Sequence, residues 1–349
     1  MRRIEPAIPD ALPVPAPAMP SEEEQRRQAE LERELQMARD IQQGLLLAAV
    51  PQLRGWEMSA VSSPARDLGG DLYDFLDLGD HSQAIMIGDV SGKGLAAALR
   101  MAVARTVFRH KARLCLSPGP TLAEVNREVC TDIPQGMITM LYAVLDTAQG
   151  KIQMANAGHT YAVLFNTEAR EIELPGLPLG VDSDSDYEED GVIIPEGDSM
   201  LLYTDGVTEA ISPDEEEFGF ERLQLLLQTH SHFKPRALMK LLLRELRSWS
   251  QSTEQSDDIT IVILRRRLTS LGAELRSIVN DVLGDEKSEP FWLEYVIPLL
   301  GDRPEDALYD AWSAILPDLT KSARASLGRG MARELGQQLR LVAEEYRPL

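Results

Sequence analysis

The sequence is poor in cysteine and has no long hydrophobic run. Its two cysteines, Cys115 and Cys130, lack the spacing of a zinc site or of a disulfide framework. The apolar run over residues 45–50 is far shorter than the ~20 residues that a membrane-spanning helix needs. No charged and then apolar leader begins the chain. We therefore expect a cytoplasmic protein that has no membrane partner.

Positive charge is also scarce. The chain holds 35 Lys and Arg against 56 Asp and Glu, a net charge of −21, and no Lys or Arg lies between Asp182 and Glu217. Binding of a polyanion requires clustered cations, so this composition argues against a nucleic-acid partner. The acidic segment is interpreted as solvated loops in preference to a docking surface for a basic partner.

The known phosphate-binding loops are absent as well, although residues 85–94 form an apolar run followed by a glycine-rich turn. The Walker pattern needs four residues between its first glycine and its Gly-Lys pair, but three separate Gly88 from Gly92, and a glycine follows Lys93. The dinucleotide fingerprint lacks its third glycine. Because Asp89 lies at the end of the predicted strand, the pattern indicates a hard cation instead.

Similar acidic strand ends recur along the chain. Asp71 follows two glycines, Asp205 ends an apolar strand, and Asp257 and Asp258 precede another strand. A single aspartate in such a place is more often a turn former than a ligand. Several carboxylates buried together are very unfavourable unless cations neutralise them, so their convergence would predict bound metal.

Together these motifs resemble the metal-dependent type 2C protein phosphatases. The similarity is to the bacterial stress-response and sporulation branch, whose serine phosphatases act on anti-sigma-factor antagonists, and it spans residues 34–264. Beyond the acids it includes five segments, at residues 38–42 (ARDIQ), 141–146 (LYAVLD), 155–159 (ANAGH), 177–180 (LPLG) and 203–210 (YTDGVTEA).

The resemblance implies a site with two Mn²⁺ or Mg²⁺ ions. By its pattern Asp89 bridges both ions, Asp71 and the carbonyl of Val90 bind one, and Asp205 and Asp257 bind the other. Asp258 is the alternative to Asp257. Water acidified by the two cations is the nucleophile that attacks a phosphoserine or phosphothreonine ester, so no cysteine or serine nucleophile is needed.

Three further residues are weaker candidates for substrate binding. Arg66 precedes Asp71 and could bind phosphate with two hydrogen bonds. Lys93 could steer the phosphate, although a solvent-facing lysine in a turn is the simpler interpretation. His159 could be a general acid, but a loop histidine bonded to backbone is the more common case.

Composition divides the chain into four parts. Six prolines among the first 20 positions predict a disordered tail over residues 1–20. Residues 21–50 are predicted to form a helical stalk or linker, because Ser21 and Glu24 match the start of a charged helix. The strand-rich residues 51–267 are the predicted phosphatase domain, and residues 268–349 a helical module.

The stalk has a narrow apolar stripe of the coiled-coil type. Its members recur at spacings of three and four: Leu31, Leu35, Ala38, Ile41 or Gln42, and Leu45. The stripe is compatible with a homodimer formed through residues 21–48 and equally with a single helix packed on its own domain.

The element pattern predicts an α+β fold. Runs of short strands alternate with runs of helices, which is not the pattern of a parallel sheet. The resemblance implies two packed antiparallel β-sheets flanked by helices. After Arg267 the sequence predicts helices alone, over residues 268–283, 290–300, 304–316 and 319–347, with breaks at Gly284, Gly301 and Pro317. This module has no chemical signature, so we expect either a partner-binding module for an unknown regulator or a helical brace.

The function expected from these features is metal-dependent hydrolysis of phosphoserine or phosphothreonine on a small regulatory protein similar to anti-sigma-factor antagonists. The alternative is an inactive relative that serves as a regulated binding module. Retention of all four carboxylate positions argues against that alternative, because a scaffold gains nothing from mutually repelling acids.

Overall fold

The computed structural model describes residues 21–46, 50–114, 117–133, 136–268 and 270–346. The tail predicted over residues 1–20, Leu47 at the expected end of the stalk helix, and Cys115 lie outside the described residues. The ten strands are β1 Trp56–Ser63, β2 Leu72–Gly79, β3 Ser82–Val90, β4 Ile138–Asp146, β5 Lys151–Ala157, β6 Ala162–Phe165, β7 Ala169–Ile172, β8 Glu189–Ile193, β9 Ser199–Tyr203 and β10 Ile259–Arg266.

The strands form two antiparallel five-stranded sheets. One sheet has the order β1-β10-β9-β6-β7 and the other has the order β2-β3-β4-β5-β8. Five helices accompany them: α1 Glu22–Leu46, α2 Leu95–Ala112, α3 Pro118–Asp132, α4 Gly219–Thr229 and α5 Pro235–Ser250. The predicted α+β class with two packed antiparallel sheets is confirmed.

The central strands are apolar on both faces because each sheet is covered on both sides. In β3, Ile85 and Ile87 point into the core between the sheets, whereas Ala84 and Met86 pack against α2 and α3. The outer face of the other sheet packs in the same way against α4 and α5. Side chains alternate along a strand, so one continuous apolar run serves two cores.

Helix α1 packs on the two-sheet sandwich with one side and exposes the other. Ile41 is 62% exposed, whereas its neighbour Gln42 is 5% exposed and faces the domain. Leu31, Met37 and Leu45 are also exposed. The apolar stripe of the stalk is therefore only partly covered by the chain itself.

The segment after residue 268 is helical and has a hydrophobic core of its own. Its helices are α6 Leu271–Leu283, α7 Asp285–Phe291, a π-helical turn Trp292–Val296, α8 Ile297–Leu300, α9 Tyr309–Leu327 and α10 Arg329–Glu345. Each helix in the described residues is too short or too polar to span a bilayer.

The predicted helix break at Pro317 is wrong. Helix α9 continues through Pro317 and ends before Gly328, whose φ of 81° is left-handed. Burial of Leu316 and Leu319 in the module's core favours continuation over the cost of one lost backbone hydrogen bond. The single helix predicted over residues 290–300 is instead divided among α7, the π-helical turn and α8.

Candidate metal centre

Strand topology brings the acidic residues to one end of the sandwich. Asp71 comes just before β2 and Asp89 is near the end of β3, so the β2–β3 hairpin places both at the same end. Asp205 follows β9 and Asp257 comes just before β10, and these strands are antiparallel neighbours in the other sheet. Antiparallel pairing thus converts four distant sequence positions into one cluster.

The carboxylates are close enough to shift one another's pKa values. Burial, followed by the charges of Asp205, Asp257 and Asp258, raises the pKa of Asp89 to about 7. Burial, and then the charges of Asp89 and Asp258, raise the pKa of Asp71 well above its ordinary value. The cluster is a region of strong negative potential with little solvent to screen it.

Asp258 organises the loop that leads to Asp71. Its carboxylate is buried, and it accepts hydrogen bonds from the backbone N–H groups of Ala65 at 2.8 Å, Gly70 at 2.6 Å and Asp71 at 3.4 Å. Because one of its oxygens binds Ala65 and the other binds Gly70 and Asp71, this side chain fixes the loop over residues 65–71.

Asp257 has a different environment from its neighbour. Its side chain is 33% exposed, and its Oδ2 atom lies 2.9 Å from the Nζ atom of Lys93. The Oδ1 atom accepts a hydrogen bond from the backbone of Asp258 at 2.9 Å. The Oδ2 atom of Asp257 therefore faces the Lys93 ammonium, and no backbone group binds this atom in the described residues.

Thr204 is a site residue that sequence reasoning did not single out. Its hydroxyl donates to Asp71 Oδ2 at 2.8 Å and accepts from the backbone N–H of Thr260 at 2.9 Å. It thereby links Asp71, on one sheet, to β10 on the other. The one sequence feature that pointed to Thr204 was its position directly before Asp205. That position alone does not predict a contact with Asp71.

The carbonyl of Val90 and the Asp89 carboxylate lie against Gly70. A Cβ atom at Gly70 would lie 2.7 Å from the Val90 oxygen and 3.3 Å from Asp89 Oδ1. Only glycine therefore permits this approach of the 65–71 loop to the end of β3.

Gln42 of α1 binds the same loop. Its Nε2 atom donates to the carbonyl of Gly69 at 2.7 Å, and its Oε1 atom accepts from the Gly69 N–H at 3.2 Å. Arg39, one turn earlier, binds the backbone and the carboxylate of Asp67. The stalk helix is thus attached to the residues that immediately precede Asp71.

His159 is buried and engaged in a turn. Asn156 accepts from its backbone N–H at 2.8 Å and donates to its carbonyl at 2.9 Å, and Nδ1 lies 2.9 Å from the hydroxyl of Thr139. Burial lowers the pKa of His159 to about 4. A ring that is neutral at physiological pH lacks the acidic imidazolium proton that a general acid donates, which favours the turn interpretation.

The two other weaker candidates lie apart from each other. Arg66 is exposed and lines a groove of ≈ 480 Å³ with Arg39 and Gln42 of α1. Lys93 is half-exposed and pairs with Asp257. Of the three candidates, Lys93 is the one whose contact with a proposed metal ligand is seen among the described residues.

The donor set fits a hard divalent cation. It consists of carboxylate oxygens and one backbone carbonyl, the ligands that Mg²⁺ and Mn²⁺ prefer. Within the described residues, no three acidic, histidine or cysteine side chains already surround a common point. Asp71 accepts a hydrogen bond from Thr204, and Asp257 pairs with Lys93.

Comparisons with known proteins identify the family of this chain. A family model described as "Stage II sporulation protein E (SpoIIE)" matches residues 79–267. The phosphoserine phosphatase RsbU of Bacillus subtilis is 32% identical over 248 residues, covering 69% of this chain and 72% of that protein. Protein IcfG of Synechocystis sp. is 30% identical over 263 residues, covering 67% of this chain but only 41% of that protein.

A solved structure shares the fold. The SiaA-PP2C domain of Pseudomonas aeruginosa superposes with a TM-score of 0.63 at 20% identity, covering 69% of this chain and 98% of that domain. The family model covers more than half of the chain, and RsbU is matched over more than two thirds of its length. The chain therefore belongs to the SpoIIE family of PP2C-type protein serine/threonine phosphatases.

Proposed function

We propose that this chain hydrolyses phosphoserine or phosphothreonine on a regulatory protein, with two Mn²⁺ or Mg²⁺ ions. The substrate proposed is a small protein similar to anti-sigma-factor antagonists. The observation that carries the metal-dependent part is the convergence of three carboxylates, those of the buried Asp71 and of the half-buried Asp89 and Asp205. Burial and neighbouring acids raise the pKa values of all three. Such a cluster is stable at neutral pH only with cations or protons to neutralise it.

In the proposed ligand assignment, Asp89 would bind both ions. Asp71 and the Val90 carbonyl complete one site, and Asp205 and Asp257 complete the other. We favour Asp257 over Asp258 as the ligand, because both carboxylate oxygens of Asp258 already accept backbone hydrogen bonds. Asp257 Oδ2, by contrast, pairs with the Lys93 ammonium, and no backbone hydrogen bond to this atom is found among the described residues.

The two cations, when bound, supply an acidified water and neutralise charge on the phosphoryl group. The chain's own residues position the donors for that chemistry. Asp258 fixes the loop over residues 65–71, and Thr204 orients the Asp71 carboxylate. The glycine at position 70 lets that loop approach Asp89 and the Val90 carbonyl.

The test is manganese-dependent hydrolysis of p-nitrophenyl phosphate and of a phosphoserine peptide by the full chain. We expect turnover that EDTA abolishes and Mn²⁺ restores. Asp89→Asn removes the charge that serves both ions, so its turnover should fall at least ~100-fold. Activity of this variant within threefold of wild type would contradict the two-metal site.

The same assay distinguishes an active phosphatase from the alternative, an inactive binding module. A chain that binds Mn²⁺ but turns over neither substrate would favour that alternative. The division into a phosphatase domain over residues 51–267 and a regulatory or partner-binding module over residues 268–349 is part of the proposal. It is supported by the separate hydrophobic core of the helices after Leu271.

A further inference from the structure

Lys93 lies in the turn between β3 and α2 and reaches toward the acids of the metal centre. Two glycines flank it, Gly92 with φ +97° and Gly94 with φ +78°, conformations that residues with a Cβ atom rarely adopt. Its ammonium lies 2.9 Å from Asp257 Oδ2 and also donates to the carbonyl of Ser256. The turn and the loop before β10 are thus joined by one cationic side chain.

The charge of Lys93 acts on more than one carboxylate. Burial and then the Asp257 charge raise the pKa of Asp205, whereas the Lys93 ammonium lowers it. The same ammonium opposes the rise in the pKa of Glu209 that burial and Asp205 cause. Lys93 therefore lies within the field of three acids on the side of the cluster formed by β9 and β10.

We propose that the Lys93 ammonium is an internal counter-ion of Asp257 that competes with the divalent cation for this carboxylate. The inference rests on the two-cation function proposed above. An ammonium 2.9 Å from Asp257 Oδ2 repels a divalent ion that binds the same carboxylate, because the two cations then lie only a few ångströms apart. We expect binding of the cation at Asp205 and Asp257 to displace Lys93 from Asp257.

The competition lowers the affinity of one cation site and leaves the other unchanged. The side chains of Lys93 and Asp257 are 39% and 33% exposed, so the pair is screened by water. Lys93→Met should accordingly tighten Mn²⁺ binding at that site by about two- to fivefold. Salt screens exposed pairs, so the difference between the variant and wild type should shrink as ionic strength rises.

The experiment is calorimetric titration of Mn²⁺ into the full chain. The matched control is Lys111→Met, which removes the same charge from the last turn of α2, where Lys111 pairs with Glu124 and Glu128. Any effect of the net charge alone will be equal in the two variants. We expect tighter binding in Lys93→Met, and binding in Lys111→Met equal to that of wild type.

A double-mutant cycle locates the effect. In an Asp257→Asn background the substitution Lys93→Met should change the Mn²⁺ affinity by clearly less than it does in wild type, because the shared carboxylate is gone and the weaker action on Asp205 is left. An effect as large as in wild type overturns the inference.

Two further outcomes decide the matter. If wild type binds two ions but Lys93→Met binds them equally or more weakly, the competition is refuted and Lys93 instead holds Asp257 in place. A wild type that binds no Mn²⁺ overturns the proposed function itself. The failure of the inference and the failure of the function therefore give different titrations.

Discussion

Two adjacent aspartates in this site differ in what they bind. Asp258 is buried and holds three backbone N–H groups of the loop over residues 65–71, whereas Asp257 is half-exposed and pairs with Lys93. Both residues are aspartates, and they are adjacent in the sequence. The position of each side chain relative to this loop separates Asp258, whose carboxylate supports the fold, from Asp257, whose carboxylate is the proposed cation ligand.

This difference predicts opposite phenotypes for alanine substitutions. Asp258→Ala leaves buried N–H groups without an acceptor and should lower the free energy of unfolding by about 2 kcal/mol or more. Asp257→Ala removes an exposed pair and should change it by less than ~1 kcal/mol while it abolishes turnover. Urea unfolding without added metal measures the first effect and p-nitrophenyl phosphate hydrolysis the second. Equal destabilisation by the two substitutions would contradict the assignment.

At the scale of elements, the stalk helix contacts the loop before Asp71 through Gln42 and Arg39. Gln42 makes two hydrogen bonds to Gly69, two residues before Asp71. A shift of α1 along or around its axis would therefore displace the loop that presents Asp71. The contact gives the stalk a physical route to influence the metal centre.

We predict that Gln42→Ala lowers the turnover rate of the full chain severalfold without unfolding it. Loss of the two hydrogen bonds should destabilise the ordered conformation of the loop before Asp71 by roughly 1–3 kcal/mol. Gln43→Ala is the matched control, since Gln43 is its exposed neighbour on the same helix. Turnover and Mn²⁺ affinity should be measured for both. Equal values for the two variants would show that α1 does not position the loop.

Pairing of two α1 helices stays a prediction. The exposed apolar side chains of α1 (Leu31, Met37, Ile41 and Leu45) offer a surface for it, and Leu95, Leu99 and Val103 of α2 are exposed too. Light scattering on the intact chain measures the mass directly.

At the scale of the whole molecule, buried charges join the C-terminal helices to the phosphatase domain. Glu274 of α6 is fully buried 3.2 Å from Arg265 of β10, and Glu57 of β1 lies 3.4 Å from the same guanidinium. Lys234, just before α5, approaches both glutamates. A buried ion pair that loses one partner is strongly destabilised, so the two parts depend on each other for stability.

We predict that a chain ending at Arg267 still hydrolyses p-nitrophenyl phosphate but is less stable than the full chain. Every proposed ligand precedes the cut, whereas Arg265 loses Glu274 and keeps Glu57. The expected loss is about 3 kcal/mol or more in urea unfolding. A truncated chain that is folded by circular dichroism and binds Mn²⁺, yet has no turnover, would contradict the proposed division.

The same interface should respond to pH through Asp281 of α6. Burial raises the pKa of Asp281 from 3.8 to about 7, although the charges of Arg265 and Lys234 lower it and those of Glu274 and Glu57 raise it. The folded carboxyl therefore keeps its proton at a pH where the unfolded one has lost it. This contribution to stability is complete below pH ~4 and is lost as the pH rises toward 7.

Asp281→Asn removes that dependence because the amide does not ionise. We expect the variant to be more stable than wild type by at least ~1 kcal/mol at pH 8, with a smaller difference at pH 5. Urea unfolding at the two pH values measures this. Parallel pH profiles for the two proteins would exclude Asp281 as the titrating group.

The sequence by itself determined the fold class and the acidic positions. The alternation of short apolar strands with helical segments predicted the α+β class and the helices after Arg267, because elements covered on defined faces leave a regular apolar pattern. The glycine turns and the acids at strand ends identified the candidate site, because each is a short sequence motif that can be recognised without knowledge of the fold. The break expected at Pro317 was wrong because burial of neighbouring leucines outweighed a local propensity.

Only the tertiary structure decided which partners those residues have. The contacts of Asp257 and Asp258, the link from Thr204 to Asp71, and the contact of Gln42 with Gly69 join residues that are 27 to 193 positions apart. No local pattern encodes such pairs, because they arise from strand pairing and from helices packing on sheets. For the same reason, the buried ion pair of Glu274 and Arg265 could not be predicted from the sequence of α6, which has no chemical signature.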